Sequence, residues 1–279
     1  MDEFTGYFLT FLIFFGMSIG SSFLVLRMLH KANFKEENFL NNEVITSSGL
    51  IFLVFLFFYG LYLYFIGRPL PLKGWPASLL IIGFGIGIVG FIDDLLGDHT
   101  TKGFSGHFGA LAKGKVTSGL LKAVFGFALA FLAAFLASEG LVNIIVNSLI
   151  IALSVNFFNL LDLRPGRSIK AFLFVGVIIF AFSRVSGLLL ASLPVLAPVL
   201  VVLYLDLQMQ AMLGDTGSNF LGGLTGLYVI YSFGLKVNLA VLLGLIMVHL
   251  YAEKHSISAF ISNNSVLRWL DNLGLKREM

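Results

Sequence analysis

Long apolar runs separated by short polar segments extend from about residue 4 to residue 252. Within each run the apolar residues are continuous rather than alternating, which argues against the strands of a membrane β-barrel. A helix needs about 20 apolar residues to cross a hydrocarbon core of about 30 Å. The pattern therefore predicts nine membrane-spanning helices, near residues 4–28, 46–66, 75–92, 117–137, 141–158, 170–186, 188–205, 218–234 and 237–252.

The stretch 171–205 could form one helix or two. As a single helix it would be about 52 Å long at about 1.5 Å per residue, which is too long for one crossing. Arg184 and Gly187 offer a polar turn in the middle of this stretch, and Pro194 and Pro198 can bend its second half. We therefore predict two shorter helices here.

The final segment, residues 256–279, has a different pattern. Its apolar residues recur at helical spacing among charged residues, and Trp269 lies in the same segment. This pattern is typical of an amphipathic helix on a membrane surface. The predicted fold is therefore an all-α polytopic membrane helical bundle over residues 1–255, with cytoplasmic active-site loops, followed by a C-terminal interfacial helix over residues 256–279.

The composition supports a membrane protein. Hydrophobic residues make up 58% of the chain and charged residues 12%, about half the charged fraction of a soluble domain. The absence of cysteine excludes disulfides and thiolate metal sites. The net charge of +3 is small, and its placement along the chain matters more than its size. We expect no nucleic-acid partner. The apolar run after the acidic start is longer than the core of a signal peptide, which predicts a retained first span.

The basic residues suggest an orientation, because cytoplasmic loops of membrane proteins collect Lys and Arg. With nine spans and the N-terminus outside, most of the 18 Lys and Arg residues fall on the cytoplasmic side. The exceptions are Arg68, Lys73, Arg184 and Lys236. We therefore expect a multi-pass protein of the cell (plasma) membrane, with its N-terminus outside and its C-terminus in the cytoplasm.

In this topology, separated acidic segments all reach the cytoplasmic face. Acidic residues at membrane depth are costly and usually mark function, and carboxylates gathered on one face repel each other unless cations neutralise them. Oxygen ligands without cysteine favour Mg²⁺ or Mn²⁺, and phosphoryl transfer uses such a metal together with cationic side chains. The segments contain Asp93, Asp94 and Asp98 in FIDDLLGD, Asp162 in NFFNLLDLRPGR, Asp206, and Asp215 in MLGDTGSNFLGG.

Each of these features also has a purely structural interpretation. The Asp-Asp pair could be a solvated helix end, and Asp215 could cap the eighth span. Asn156 and Asn159 share a helix face and could join helices or bind substrate. Helix packing could explain the glycines of the eighth span, Gly222, Gly223 and Gly226. His107 could simply lie on the surface. The basic residues could serve only to hold the positive loops in the cytoplasm, and they are Lys113, Lys115, Lys122, Arg164 and Arg167.

Four motifs occur in an order that resembles one enzyme family. They are GFIDD at Gly90–Asp94, KGFS at Lys102–Ser105, NxxNxxD ending at Asp162, and MLGDTGS at Met212–Ser218. Together they resemble the polyprenyl-phosphate N-acetylhexosamine-1-phosphate transferases, over roughly residues 40–235. That family includes the phospho-N-acetylmuramoyl-pentapeptide translocases and bacterial N-acetylglucosamine-1-phosphate transferases.

The resemblance implies a ten-span fold, Mg²⁺ dependence and a membrane-embedded lipid groove. The expected reaction transfers N-acetylhexosamine-1-phosphate from a UDP-sugar to a polyprenyl phosphate and releases UMP. Asp93 and Asp94 would handle the lipid phosphate, Asp215 would ligate Mg²⁺, and Asp162 would complete the catalytic set. The expected partners are this lipid, a nucleotide sugar and, as one option, a second copy of the chain. The expected substrate-binding residues are Asn156, Asn159, Lys102, His107, Lys113, Arg164, Arg167 and Ser218.

The chain also departs from the family's pattern. Leu163 and Pro165 stand where the family has glycine and a second aspartate, and the tenth span and the His-rich loop are missing. The early proline- and glycine-rich motif is reduced to ITSSGL at Ile45–Leu50. These departures leave a second hypothesis open, a catalytically inactive paralogue that binds, moves or scaffolds polyprenyl lipids. A secondary transporter is a third interpretation, since intramembrane acids also mark ion pathways.

Overall fold

The computed structural model describes residues 3–66, 74–96, 118–183 and 185–275. In these ranges the chain forms a helical bundle with one small hairpin, β1 (Lys35–Glu37) and β2 (Glu43–Ile45). A π-helical stretch, Ile81–Ile86, lies inside the third helix. The helices are α1 (Glu3–Lys31), α2 (Leu50–Ile66), α3 (Trp75–Leu96), α4 (Ser118–Ala137), α5 (Leu141–Leu161), α6 (Arg167–Phe182), α7 (Ser186–Leu207), α8 (Gly214–Ser232), α9 (Leu235–Ala252), α10 (Ile257–Asn263) and α11 (Ser265–Asn272).

The helices confirm the prediction of an all-α membrane bundle. In the described part of the chain, five helices are long and apolar enough to cross a membrane, namely α1, α3, α5, α7 and α9. The other predicted spans coincide with α2, α4, α6 and α8, so the count of nine stays a prediction. α6 ends at Phe182 and α7 begins at Ser186, which agrees with the predicted division of the long apolar stretch.

Helix α8 lies at the centre of the bundle, and its side chains from Thr216 to Ile230 are all buried. Its glycines permit this enclosure. A Cβ on Gly222 would lie 2.5 Å from the Ser154 carbonyl oxygen of α5, and one on Gly226 would lie 2.7 Å from Ile151 Cα. Real Cβ atoms do not approach so closely, so these glycines serve close helix packing, as in other membrane bundles.

The short hairpin joins two motifs that are far apart in the sequence. Its strands pair antiparallel, and Ile45 then runs beside Ala211. The amide of Met212 donates to the Ile45 carbonyl (2.7 Å), and the amide of Ser48 donates to the Met212 carbonyl (3.0 Å). The ITSSGL segment therefore lies directly against the start of MLGDTGS.

The C-terminal segment, predicted as one helix, forms two short helices that meet at Asn264. This residue directly follows α10 and precedes α11, and its side-chain oxygen accepts hydrogen bonds from the amides of Val266 and Leu267, both at 3.1 Å. Asparagine is among the preferred residues for capping a helix N-terminus in this way. The break therefore has a local cause in the sequence.

Candidate functional site

A lysine and two carboxylates from three helices form the centre of the candidate site. Lys122 of α4 donates from Nζ to Asp93 Oδ2 at the end of α3 (2.9 Å) and also to Asp215 Oδ2 in the first turn of α8. The three side chains are only 17–26% exposed. Ionic groups with so little solvent interact more strongly than surface pairs, so this cluster ties together the ends of three helices.

Asn159 of α5 joins the same cluster. In the amide orientation that satisfies its neighbours, Nδ2 donates to Asp215 Oδ1 (2.5 Å) and to Ser218 Oγ (3.2 Å). Its oxygen then accepts from Lys122 Nζ (3.2 Å). The structure thus brings together residues of the GFIDD, NxxNxxD and MLGDTGS motifs, although they lie up to about 120 residues apart in the chain.

Asp94 faces a different set of partners from Asp93, because successive helical side chains point about 100° apart. Its Oδ1 accepts from the Asp215 amide (2.8 Å). Its Oδ2 accepts from Ser47 Oγ (2.5 Å) and from the amide and hydroxyl of Thr216 (3.1 and 2.7 Å). Asp94 therefore caps the N-terminus of α8 from a neighbouring helix. The structural interpretation of the sequence had given this capping role to Asp215.

Gly214 makes this cap possible. Its φ of 73° lies in the left-handed region, which glycine adopts without steric cost. A Cβ at this position would lie 2.8 Å from Asp94 Oδ2 and 2.9 Å from the Ser47 amide nitrogen. The glycine before the aspartate in MLGD is thus explained by the approach of the Asp94 carboxylate.

Asp162 lies just after the end of α5, close to the same acidic groups. Burial raises the pKa of its carboxyl well above the ordinary value, and the negative charges of Asp206 and Asp215 act in the same direction. The Arg167 guanidinium opposes this rise in the pKa of Asp162.

Asp206, buried near the end of α7, has a structural partner of its own. Its Oδ2 accepts from the Gly166 amide (2.7 Å), immediately before α6 begins. A carboxylate at the N-terminus of a helix is favoured by the helix dipole. Asp206 therefore fixes the connection between α5 and α6, residues 162–166, which carries Asp162.

The two arginines of that region bind an internal carboxylate. Arg167 donates to both oxygens of Asp271 in α11 (2.7 and 3.0 Å), and Arg164 donates to Oδ2 of the same residue (2.8 Å). Although burial opposes it, the hydrogen bond and charge of Arg167 hold the pKa of Asp271 below its ordinary value. The prediction that these guanidiniums bind an anionic substrate stays a prediction.

The remaining predicted residues are distributed as follows. Asn156 is half-buried on α5, one turn before Asn159. Lys102, His107 and Lys113 lie outside the described residues.

The sequence left the role of Lys122 open and did not place it among the expected site residues, although it lies at the centre of the cluster. A single charge in the otherwise apolar segment SGLLKAVFGFALAF was the signal that could have identified it. Ser47 and Asp271 are likewise contacts that sequence reasoning missed.

The oxygen-rich donor set of the cluster fits a hard divalent cation. Asp93 and Asp215 supply carboxylates, and Asn159 and Ser218 lie beside them with an amide and a hydroxyl; Mg²⁺ prefers such oxygen ligands. Within the described ranges, no group of three or more His, Cys, Asp or Glu side chains has the spacing of a complete metal site. Mg²⁺ commonly takes only one or two carboxylates and completes its shell with water and substrate phosphates.

Comparisons of the whole chain with known protein families and with characterised proteins gave no match. The interpretation of the site therefore depends on its residues and their arrangement. The apolar helices are those of an integral membrane protein, and the cluster of Asp93, Lys122, Asn159 and Asp215 lies where four helices of the bundle begin or end.

Proposed function

We propose that this protein is a Mg²⁺-dependent membrane transferase. It would move a sugar-1-phosphate of the N-acetylhexosamine class from a UDP-sugar to a polyprenyl phosphate on the cytoplasmic face. The observation that supports this most is the convergence of Asp93, Lys122, Asn159 and Asp215 from four separate helices. Enzymes of phosphoryl transfer work mainly by positioning the reactants and by stabilising the charge of the transition state. This cluster offers a positive charge on Lys122 and negative charges on Asp93 and Asp215 in one place.

In the proposed reaction, an oxygen of the lipid phosphate attacks the phosphorus that carries the sugar. The bond from that phosphorus to the UMP oxygen breaks, which leaves a lipid pyrophosphoryl sugar and UMP. The lipid phosphate is already anionic near pH 7, so the protein must align the reactants and offset their repulsion. Lys122 can offset charge at this position, and Asp162 and Asn159 can hold polar groups of the donor.

Asp93 and Asp215 are the residues that would hold Mg²⁺. When bound, Mg²⁺ would neutralise part of the charge of the donor pyrophosphate. We assign a structural role to Asp94, because its oxygens already accept four hydrogen bonds from the loop and from α8. Of the two neighbouring aspartates, Asp93 is therefore the one that we assign to substrate and metal.

An assay of the purified full chain tests this proposal directly. The protein is supplied with Mg²⁺, a polyprenyl phosphate and a panel of UDP-sugars, and UMP release and the lipid product are measured. Turnover with at least one donor is the expected result. Binding of polyprenyl phosphate without turnover of any donor would instead support the inactive lipid-binding paralogue.

Replacing Asp215 with asparagine should weaken Mg²⁺ binding and slow the reaction. The substitution keeps the shape of the side chain and removes its charge, so a metal ligand and a transition-state contact are both impaired. Loss of one such electrostatic contact typically lowers a rate by roughly 10²–10³-fold. Mg²⁺ titration of UMP release measures both effects, and an unchanged Mg²⁺ requirement would contradict the role given to Asp215.

The proposed orientation places the N-terminus outside and the C-terminus in the cytoplasm of a plasma membrane. Because Lys and Arg favour cytoplasmic loops, a reporter fused after residue 279 should be active only on the cytoplasmic side. A reporter inserted between residues 68 and 73 should be active only outside. The same location for both reporters would contradict the nine-span arrangement.

A further inference from the structure

The C-terminal helices α10 and α11 bury none of their apolar side chains fully against the bundle. In these two helices, Asp271 is the only buried side chain. Phe260, Val266 and Trp269 are 52–64% exposed, whereas Ile257, Ile261 and Leu267 are half-buried. Since burial of apolar surface is the usual source of stable docking, another interaction must hold this segment in place.

That interaction is a group of charged contacts with three basic residues, Arg164, Arg167 and Lys170, which we call the basic triad. Arg167 and Arg164 bind the Asp271 carboxylate through three hydrogen bonds of 2.7–3.0 Å. Lys170 Nζ donates to the backbone carbonyls of residues 270, 271 and 273, at 2.9, 2.6 and 3.2 Å. The two arginines also reach Ser258 Oγ (2.8 Å) and Asn272 Oδ1 (3.3 Å).

The charges of this contact do not balance. In direct contact, three cations meet one carboxylate, while Asp162 and Asp206 act on Arg167 and Lys170 only through longer-range charge interactions, so Asp271 alone does not balance the basic triad. A phosphate group carries about −1.5 to −2 charge near pH 7 and three strong acceptor oxygens. Guanidinium groups bind phosphate through paired hydrogen bonds as readily as they bind carboxylate. A phosphate group would therefore neutralise the basic triad more completely than Asp271 does.

We propose that the basic triad is a phosphate-binding site that Asp271 fills as an internal substitute. A phosphate group that binds there displaces Asp271, and α10 and α11 then leave the bundle, because the apolar contacts that remain, such as that of Phe260 with Tyr251 of α9, are few. The triad begins two residues after Asp162, so this release uncovers the connection between α5 and α6.

Hydrogen–deuterium exchange of the full chain in detergent tests this inference. Inorganic phosphate is compared with sodium chloride at equal ionic strength, and exchange is followed over residues 257–272 and over α8 as an internal reference. We expect phosphate to lower the protection of the C-terminal helices by about tenfold or more while α8 is unchanged. Equal release by chloride would show only charge screening and would overturn the proposal.

Two variants make the test independent of added phosphate. Asp271→Asn should release α10 and α11 without phosphate, and Asp271→Glu should restore their protection. Glu253→Gln is the matched control, because it removes an exposed carboxylate just before the segment. Full protection of the C-terminal helices in Asp271→Asn would overturn the proposal, whatever its effect on the rest of the bundle.

Nanodiscs identify the source of the phosphate group. Discs of phosphatidylcholine are compared with discs that also contain phosphatidic acid, which exposes a terminal phosphate at the membrane surface. Release only in the second kind of disc supports the site with a lipid headgroup as its ligand. Release only by soluble phosphate supports the site with a free phosphate compound as its ligand. If neither arm releases the segment, the proposal is wrong.

Discussion

Replacing Lys122 with methionine should lower the free energy of unfolding by about 3 kcal/mol in magnesium-free buffer, because it leaves Asp93 and Asp215 close together without their shared cation. Added Mg²⁺ should recover most of this loss, since a divalent cation can take the position of the ammonium group. A ligand at about 100 times its dissociation constant stabilises the folded state by about 2.7 kcal/mol. Denaturant unfolding in detergent, with and without Mg²⁺, measures both effects.

Lys236→Met is the matched control for this prediction. Lys236 is exposed in the first turn of α9, so its removal should change the unfolding free energy by less than about 0.5 kcal/mol. Mg²⁺ should affect this variant no more than the parent protein. If Lys122→Met unfolds like the control, or if Mg²⁺ stabilises both variants equally, the two carboxylates do not form a cation site.

Replacing Asp94 with alanine should destabilise the protein more than any change at Asp93. The variant loses the four hydrogen bonds that Asp94 accepts and leaves the amides of Asp215 and Thr216 without their acceptor. Hydrogen bonds to a charged group contribute roughly 1.5–3 kcal/mol each before relaxation; because Asp94 is half-buried, we expect a total loss of about 3 kcal/mol or more rather than the full sum. Denaturant unfolding again gives the measurement.

Asp93→Ala provides the contrast. It removes one of two like charges beside Lys122, and Asp215 remains to pair with the lysine, so we expect a stability loss below about 1.5 kcal/mol. Its effect on UMP release should be much larger, roughly 10²-fold or more. A stable and inactive Asp94→Ala, or an unstable and active Asp93→Ala, would reverse the roles that we give to this pair.

The sequence by itself determined the class of the fold and the approximate position of its helices. The continuous apolar runs predicted helices at the positions of α1 to α9, and the polar turn near Arg184 predicted the break between α6 and α7. These features are local, because a chain in a membrane must satisfy its backbone hydrogen bonds within each helix. The sequence also predicted that the glycines of α8 serve helix packing, which the short distances to α5 confirm.

Only the tertiary structure decided how the polar residues are paired. From the sequence, Asp93 and Asp94 were equivalent, and the structure gives one to Lys122 and the other to the N-terminus of α8. It likewise joins Arg167 to Asp271, 104 residues away. The reason is physical: a charged side chain takes its role from the groups that share its low-dielectric surroundings. Those groups come from different helices, so their identity depends on how the helices pack.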